Sequence, residues 1–135
     1  MISNSPYNFS APLSVGVSVA TANPNRDGTG TLALLCVATT TPLRIDWVHI
    51  NAIVTTTSGM IRLFLFSGGN YYLINEIPVS AIVPSATSAA FSVQYYPTPN
   101  PSVAPSPLTL QAGAALYVST EKAEQFRVTA FGGYY

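Results

Sequence analysis

Hydrophobic residues recur at every second position along much of the chain, the spacing of a β-strand that turns one face to a core. In residues 13–20, Leu or Val stands at every odd position up to 19, and small or polar residues stand between them. No segment carries an apolar stripe at helical spacing. The alternation, read between turn signals, predicts strands at residues 13–20, 31–37, 44–54, 60–66, 71–79, 90–96, 108–110, 115–119 and 126–131.

Three local features add detail to this pattern. Residues 32–38 are continuously apolar, which predicts that the strand at 31–37 is buried on both faces with Cys36 as a small buried hydrophobe. Within residues 44–54 the alternation slips by one position, which predicts a β-bulge near Asp46 and Trp47 and turns Trp47 and His49 outward. Ser67-Gly68-Gly69-Asn70 predicts a tight hairpin, because glycine readily takes the positive φ angles of primed turns.

Eight or nine short strands without a helix indicate an all-β fold. We expect an antiparallel two-sheet sandwich of jelly-roll or Greek-key type, with a closed up-and-down barrel as the alternative. Residues 1–12 read as an extended N-terminal arm and residues 13–135 as a single β-sandwich domain. The proline-rich residues 97–107 read as an extended loop, because proline cannot donate ladder hydrogen bonds.

Charge is scarce, and this excludes several classes of protein. Only 7% of the 135 residues are charged, five basic and five acidic, against about 25% in a typical domain. A free nucleic-acid binder needs a basic stripe, and a disordered chain needs low hydrophobicity, whereas 48% of these residues are hydrophobic. We therefore expect no direct contact with nucleic acid. A chain with so little charge relies on neutral polar groups or buries surface in an assembly.

The residues that could perform catalysis are few and scattered. His49 reads as an exposed strand residue. Asp46 and Glu76, expected on neighbouring strands, are the one conceivable pair of catalytic carboxylates. We expect no catalytic site, no cofactor and no enzymatic activity.

Metal binding is weakly supported as well. Asn23, Asn25 and Asp27 alternate ahead of Gly28 and could offer oxygens to Ca²⁺, but such a loop is far more often a set of Asx turns. Zinc needs three or four Cys, His or carboxylate ligands, and the chain has one Cys and one His. We expect no metal site.

Aromatic residues and arginine are abundant instead: eight Tyr, one Trp and four Arg stand against one Lys. This bias is typical of protein interfaces. Tyrosines come in adjacent pairs at 71–72, 95–96 and 134–135, and on a strand one member of each pair should leave the core. Two other interpretations stay open, a set of aromatics that merely cap sandwich edges and a platform that stacks on sugars.

Residues 44–133 resemble small β-sandwich proteins that tailed bacteriophages encode near their capsid genes. The resemblance rests on Arg-Ile-Asp at 44–46, Thr-Thr-Ser-Gly-Met-Ile-Arg-Leu-Phe at 56–64, Glu-Ile-Pro-Val at 76–79 with Pro-Ser-Ala-Thr at 84–87, and Phe-Arg-Val-Thr-Ala-Phe-Gly-Gly at 126–133. The order of these stretches is more specific than any one of them. Residues 1–30 and 97–107 carry no such resemblance. Family members often have a basic residue where this chain has Trp47, which leaves the role of Trp47 open.

The resemblance implies a head decoration, or cement, protein of the virion. Such a protein would lie on the capsid surface as a homotrimer bound to the major capsid protein, after assembly in the host cytoplasm and without contact with a membrane. We expect the interface to draw on Trp47, Met60, Arg62, Phe64, Tyr72, Tyr96 and Tyr135. The alternative function is a receptor- or carbohydrate-binding module of a phage tail fibre or adsorption apparatus.

Overall fold

The computed structural model describes residues 10–97 and 107–135, and these residues form nine strands and no helix. The strands are β1 (Ala11–Val19), β2 (Ala33–Val37), β3 (Leu43–Ala52), β4 (Gly59–Ser67), β5 (Asn70–Val79), β6 (Ser92–Tyr95), β7 (Leu108–Leu110), β8 (Ala115–Thr120) and β9 (Phe126–Tyr134).

The strands form two antiparallel sheets that enclose one core. The five-stranded sheet has the order β1-β9-β3-β6, with β7 also paired to β3, and the four-stranded sheet has the order β2-β8-β4-β5. The pairs β4–β5, β3–β6, β2–β8 and β1–β9 are nested along the chain, and each successive pair changes sheet. This nesting is the connectivity of a jelly roll, in which one long hairpin is rolled into a sandwich. The predicted all-β sandwich is confirmed.

Most local predictions also agree with the structure. The register between β3 and β9 shifts between Ile45 and Trp47, so the predicted bulge is confirmed. Past the bulge Val48 and Ile50 are fully buried, while Trp47 and His49 lie half-buried on the opposite side of the strand. The predicted hairpin joins β4 to β5. Its Gly68 and Gly69 have φ angles of 60° and 82°, which glycine adopts without the strain that other residues meet.

Two predictions about strands need correction. The predicted strand at 31–37 is not buried on both faces, because β2 is an edge strand of its sheet and Leu34 is 46% exposed. The predicted arm is too long, because Ala11 and Pro12 already pair with β9 in β1. Residues 1–9 and 98–106, which hold the rest of the arm and most of the proline loop, lie outside the described residues.

The core contains Cys36, as the sequence predicts. Its thiol is free and only 5% of the residue is exposed. Burial raises the pKa of this thiol to about 12, because the apolar surroundings disfavour the thiolate. Cys36 is therefore an inert packing residue in the folded protein.

The β1–β2 loop (residues 20–32) connects the two sheets and is stabilised by its own side chains. Asn23 is buried and its Nδ2 donates to the carbonyl oxygens of Thr29 and Thr31 at 3.0 and 2.9 Å. Its Oδ1 accepts a hydrogen bond from the backbone N–H of Asn25 at 3.1 Å. These bonds join the two ends of the loop, so that the loop forms a compact unit.

Candidate interaction surface

The seven predicted interface residues lie on both sides of the sandwich rather than in one patch. Met60, Arg62 and Phe64 alternate along β4 with core residues and so point outward from the four-stranded sheet. Trp47 points outward from the five-stranded sheet. Tyr72, Tyr96 and Tyr135 are exposed at 51%, 38% and 40% respectively. The two outer surfaces therefore have to be considered separately.

The open face is the outer surface of the five-stranded sheet. Residues paired directly across antiparallel strands share a face, so the registers of β9 with β1 and β3 and of β3 with β6 define it. Its two central strands contribute Trp47, His49, Arg127, Thr129 and Phe131. The edge strands add Ser14, Gly16, Ser18, Ser92 and Gln94, all exposed.

An aromatic pair stands at one end of the open face. Trp47 and Phe131 are register partners, with ring centroids 5.4 Å apart and planes inclined by 30°. Next to Trp47, the buried Arg44 donates from Nε to Asp46 Oδ1 at 2.9 Å, so this charge is paired at the bulge. Arg127 is the exposed charged residue among the outward positions of the described strands of this sheet.

A shallow groove lies at the other end of the open face. Gly16 of β1 has no side chain beside Arg127 and Thr129 of β9, and this leaves a volume of about 280 Å³. The open face thus offers stacked aromatic rings, hydroxyl groups and a groove with one arginine. Such a surface can bind another protein or a polyhydroxylated ligand through aromatic stacking and hydrogen bonds.

The covered face is the outer surface of the four-stranded sheet, and the β1–β2 loop crosses it. Ala22 forms a bridge with Thr120 at the end of β8. The tip of the loop reaches β5, where Arg26 Nε donates to Glu76 Oε1 at 2.7 Å and Gly28 lies against Tyr71. Because β4 lies between β8 and β5, the loop passes over β4.

The loop removes two predicted interface residues from solvent. Arg62 and Phe64 are the outward residues of β4 between the partners of Thr120 and Tyr71, and they are 1% and 0% exposed. The expectation that they lie open to a partner is therefore wrong for this conformation. Met60, beyond the crossing point, is half-buried.

Three aromatic rings stand beside the tip of the loop on the covered face. Phe66, Tyr71 and Tyr117 contact one another with ring centroids 4.7 to 6.0 Å apart. The pKa of Tyr117 is raised, first by burial and then by the neighbouring Tyr71. One member of the Tyr71–Tyr72 pair thus packs in this cluster, while Tyr72 remains exposed.

The other two tyrosine pairs divide in the same way. Tyr95 packs against the core and its hydroxyl accepts a hydrogen bond from Asn75 Nδ2 at 2.8 Å, linking β6 to β5. Tyr96 is exposed beside Gln94, which donates to its hydroxyl at 3.2 Å. Tyr134 packs against the core, and Tyr135 is exposed.

The candidate carboxylate pair is not brought together. Asp46 lies on β3 and Glu76 on β5, in different sheets, so the expectation that they occupy neighbouring strands is wrong. Each is bonded to an arginine instead, Asp46 to Arg44 and Glu76 to Arg26. The Arg26 hydrogen bond lowers the pKa of Glu76 below its usual value.

The loop that could have held Ca²⁺ contains Asx turns. Asp27 Oδ1 accepts from both the backbone N–H and the hydroxyl of Thr29, at 3.1 and 2.6 Å, and these bonds lower the pKa of Asp27. Asn23 and Asn25 are bonded within the same loop. In the described part of the chain, no three His, Cys, Asp or Glu side chains are grouped so that they could hold a metal ion.

Sequence reasoning missed several surface residues. Phe131 joins Trp47 only through the β3–β9 register, which the sequence does not display. Ile53, Val54 and Val83 are 48%, 38% and 73% exposed; the first two directly follow β3, and Val83 lies in the segment after β5. The sequence contained a signal that Ile53 and Val54 lie near the surface, because the hydroxyl-rich turn at 55–58 follows them directly.

Searches of protein-family models, curated proteins and solved structures found no match to this chain. The resemblance to phage structural proteins therefore stays a prediction. Within residues 10–97 and 107–135, no helix is long and apolar enough to cross a membrane.

Proposed function

We propose that this protein is a phage virion structural protein, a decoration protein that binds the major capsid protein and stabilises the shell. The observation that carries the proposal is the open face, where the half-buried Trp47–Phe131 pair lies among residues with almost no charge. Trp and other large aromatics are enriched where proteins bind one another, and charged residues are depleted there.

The architecture supports the proposal at the level of analogy. Jelly rolls are used in viral capsid proteins and in lectins, although a fold alone does not define a function. The scarcity of charge supports the proposal further. The β1–β2 loop already covers the outer surface of the four-stranded sheet, whereas the charge-poor open face is left for a partner to cover. A homotrimer would place three open faces around one axis, where each could contact the shell.

Carbohydrate or receptor binding is the second candidate, and the groove beside Gly16 favours it. Arg127 and Thr129 line this groove, and the Trp47–Phe131 pair lies further along the same sheet. Aromatic rings flanked by hydroxyl and guanidinium groups can stack on a sugar ring and bond its hydroxyls. This module would act at a tail fibre tip rather than on the head.

Copy number in purified particles tests the first proposal directly. Quantitative mass spectrometry of tailed-phage particles from cells that carry this gene should find the protein in proportion to the major capsid protein. Native mass spectrometry of the isolated protein should find three times its 14.3 kDa mass. A few copies confined to tails, or a stable monomer that never associates with heads, would contradict the proposal.

Matched variants identify the surface that binds. Trp47→Ala should abolish cosedimentation with heads that lack the protein, whereas Tyr72→Ala, which removes an exposed ring on the other sheet, should retain it. Glycan-array binding by the isolated protein that is lost in Trp47→Ala would instead support the second candidate.

A further inference from the structure

The β1–β2 loop is a cover with a single polar latch at its tip. Arg26 Nε donates to Glu76 Oε1 at 2.7 Å, and the Arg26 side chain is 62% exposed. Residues 20–31 contain no large apolar side chain that could anchor the tip of the loop in the sheet below, and the half-buried Leu32 directly precedes β2. Exposed ion pairs contribute little to stability, so the tip is weakly held.

The cover leaves two donor atoms of a buried arginine without hydrogen-bond partners. Nε and Nη1 of Arg62 are inaccessible to solvent and make no hydrogen bond, and the same is true of Ser119 Oγ, which stands opposite on β8. The nearest carboxylate oxygen, Glu76 Oε2, is 3.9 Å from Arg62 Nε, too far for a hydrogen bond. Burying donors without acceptors is unfavourable.

Closing and opening the loop therefore have opposing effects on the free energy. The closed loop keeps Phe64 fully buried, which is favourable, and keeps the Arg62 guanidinium away from water, which is not. The base of the loop is fixed to β8, where the Asn23 backbone N–H donates to the carbonyl oxygen of Thr120 at 2.8 Å, but the loop itself is held together by side-chain bonds of Asn23 and Thr29 that do not involve the sheet below. It can move as one body without losing them.

We infer that the β1–β2 loop is a hinged cover, latched by Arg26 and Glu76, that opens locally while both sheets stay folded. Opening hydrates Arg62 and uncovers an aromatic surface around Phe64. This device regulates access to the covered face, and it does not depend on the proposed capsid function, because it belongs to the isolated protein. Local openings of this kind occur well below the free energy of global unfolding.

A thiol placed beneath the cover measures the opening. Ser119→Cys is nearly isosteric, and the hydroxyl that it replaces makes no hydrogen bond. Cys36 serves as the internal control, since burial raises the pKa of its thiol to about 12 and keeps it unreactive until the core unfolds. Under native conditions the thiol introduced at position 119 should react at least about tenfold faster than Cys36. Equal rates would overturn the inference.

Three further variants separate the latch from simple destabilisation. Arg26→Gln should speed labelling at position 119 several-fold and leave the Cys36 rate unchanged. Arg127→Gln, which removes an arginine from the other sheet, should change neither rate. Arg62→Met should slow labelling, because it removes the group that favours opening. Faster labelling in Arg62→Met, or no response to Arg26→Gln, would contradict the mechanism.

A measurement on the unmodified protein covers the case in which Ser119→Cys does not fold. Exchange of the Arg62 Nε proton with water, followed by NMR, should be much faster than exchange of the backbone amide of the neighbouring Leu63. If both exchange only through global unfolding, the loop is a fixed part of the fold and not a cover.

Discussion

The two outer faces of this jelly roll are built from similar strands and meet water differently. On the four-stranded sheet, Arg62 and Phe64 are buried beneath residues 20–32 of the same chain. On the five-stranded sheet, Trp47 and Phe131 are only half-buried, and the exposed Arg127 lies towards the other end of the same face. A sheet face that is poor in charge is thus not always a surface for a partner, because the chain can cover it by itself.

The largest test of this difference is a pair of phenylalanine truncations. Phe64→Ala should lower the free energy of unfolding by about 3–5 kcal/mol, because the side chain is fully buried and its loss leaves a cavity. Phe131→Ala should cost about 1 kcal/mol, because its half-buried ring already contacts water. Urea unfolding followed by circular dichroism measures both. Equal losses would mean that the two faces do not differ in burial.

A glycine pair tests how the open face is supported. Gly132 of β9 lies against the carbonyl of Arg44 at the β3 bulge, so a Cβ there would collide with backbone. Gly132→Ala should cost about 1–3 kcal/mol or more. Gly16→Ala, on the same sheet, makes only an ordinary contact with Thr129 and should cost less than about 0.5 kcal/mol. Thermal unfolding compares the two, and a mild Gly132→Ala would argue against a tight bulge.

Low pH should weaken the Arg26–Glu76 ion pair and so favour opening of the β1–β2 loop. The Arg26 hydrogen bond is the main cause that holds the pKa of Glu76 below its ordinary value, and the hydrogen bonds from Thr29 hold the pKa of Asp27 below its ordinary value. Carboxylates with lowered pKa values stabilise the folded state above their unfolded values and lose that contribution as pH falls through the folded values. Labelling at position 119 should therefore accelerate as pH drops below about 4, after correction for thiol ionisation. Glu76→Gln should flatten this dependence, and an unchanged profile in that variant would exclude the latch.

The smallest expected effect is that of Arg26→Gln on Trp47 fluorescence, which should not change. Trp47 is the only tryptophan and reports on the open face. Arg26→Gln changes the far side of the sandwich, so the Trp47 emission spectrum and its quenching by acrylamide should match those of the unchanged protein. A shifted spectrum would show that the two faces are coupled.

The elements of the fold could be predicted because their signals are local. The two-residue period predicted nearly every strand, and the one-residue slip at Asp46 and Trp47 predicted the bulge that the β3–β9 register contains. Prediction failed where the environment of a residue depends on segments that are distant in the sequence. Leu34 looked buried, but its position on an edge strand exposes it.

The candidate surface was predicted less completely, for the same reason. Alternation correctly turned Trp47 to the outside and placed one member of each tyrosine pair at the surface. It could not pair Trp47 with Phe131, 84 positions away in the chain, because that contact follows from strand order.

The sequence by itself determined nearly all the strands, the inward and outward residues of those that alternate, the bulge and the burial of Cys36, since each follows from side-chain spacing and hydrophobicity within a few residues. Only the tertiary structure decided which outward residues reach water. Residues 20–31 are mostly small or polar, and nothing in their pattern shows that they cross β4 and bury Arg62 and Phe64. That outcome depends on the order of β8, β4 and β5 in the sheet, which places the anchors of the loop on either side of β4.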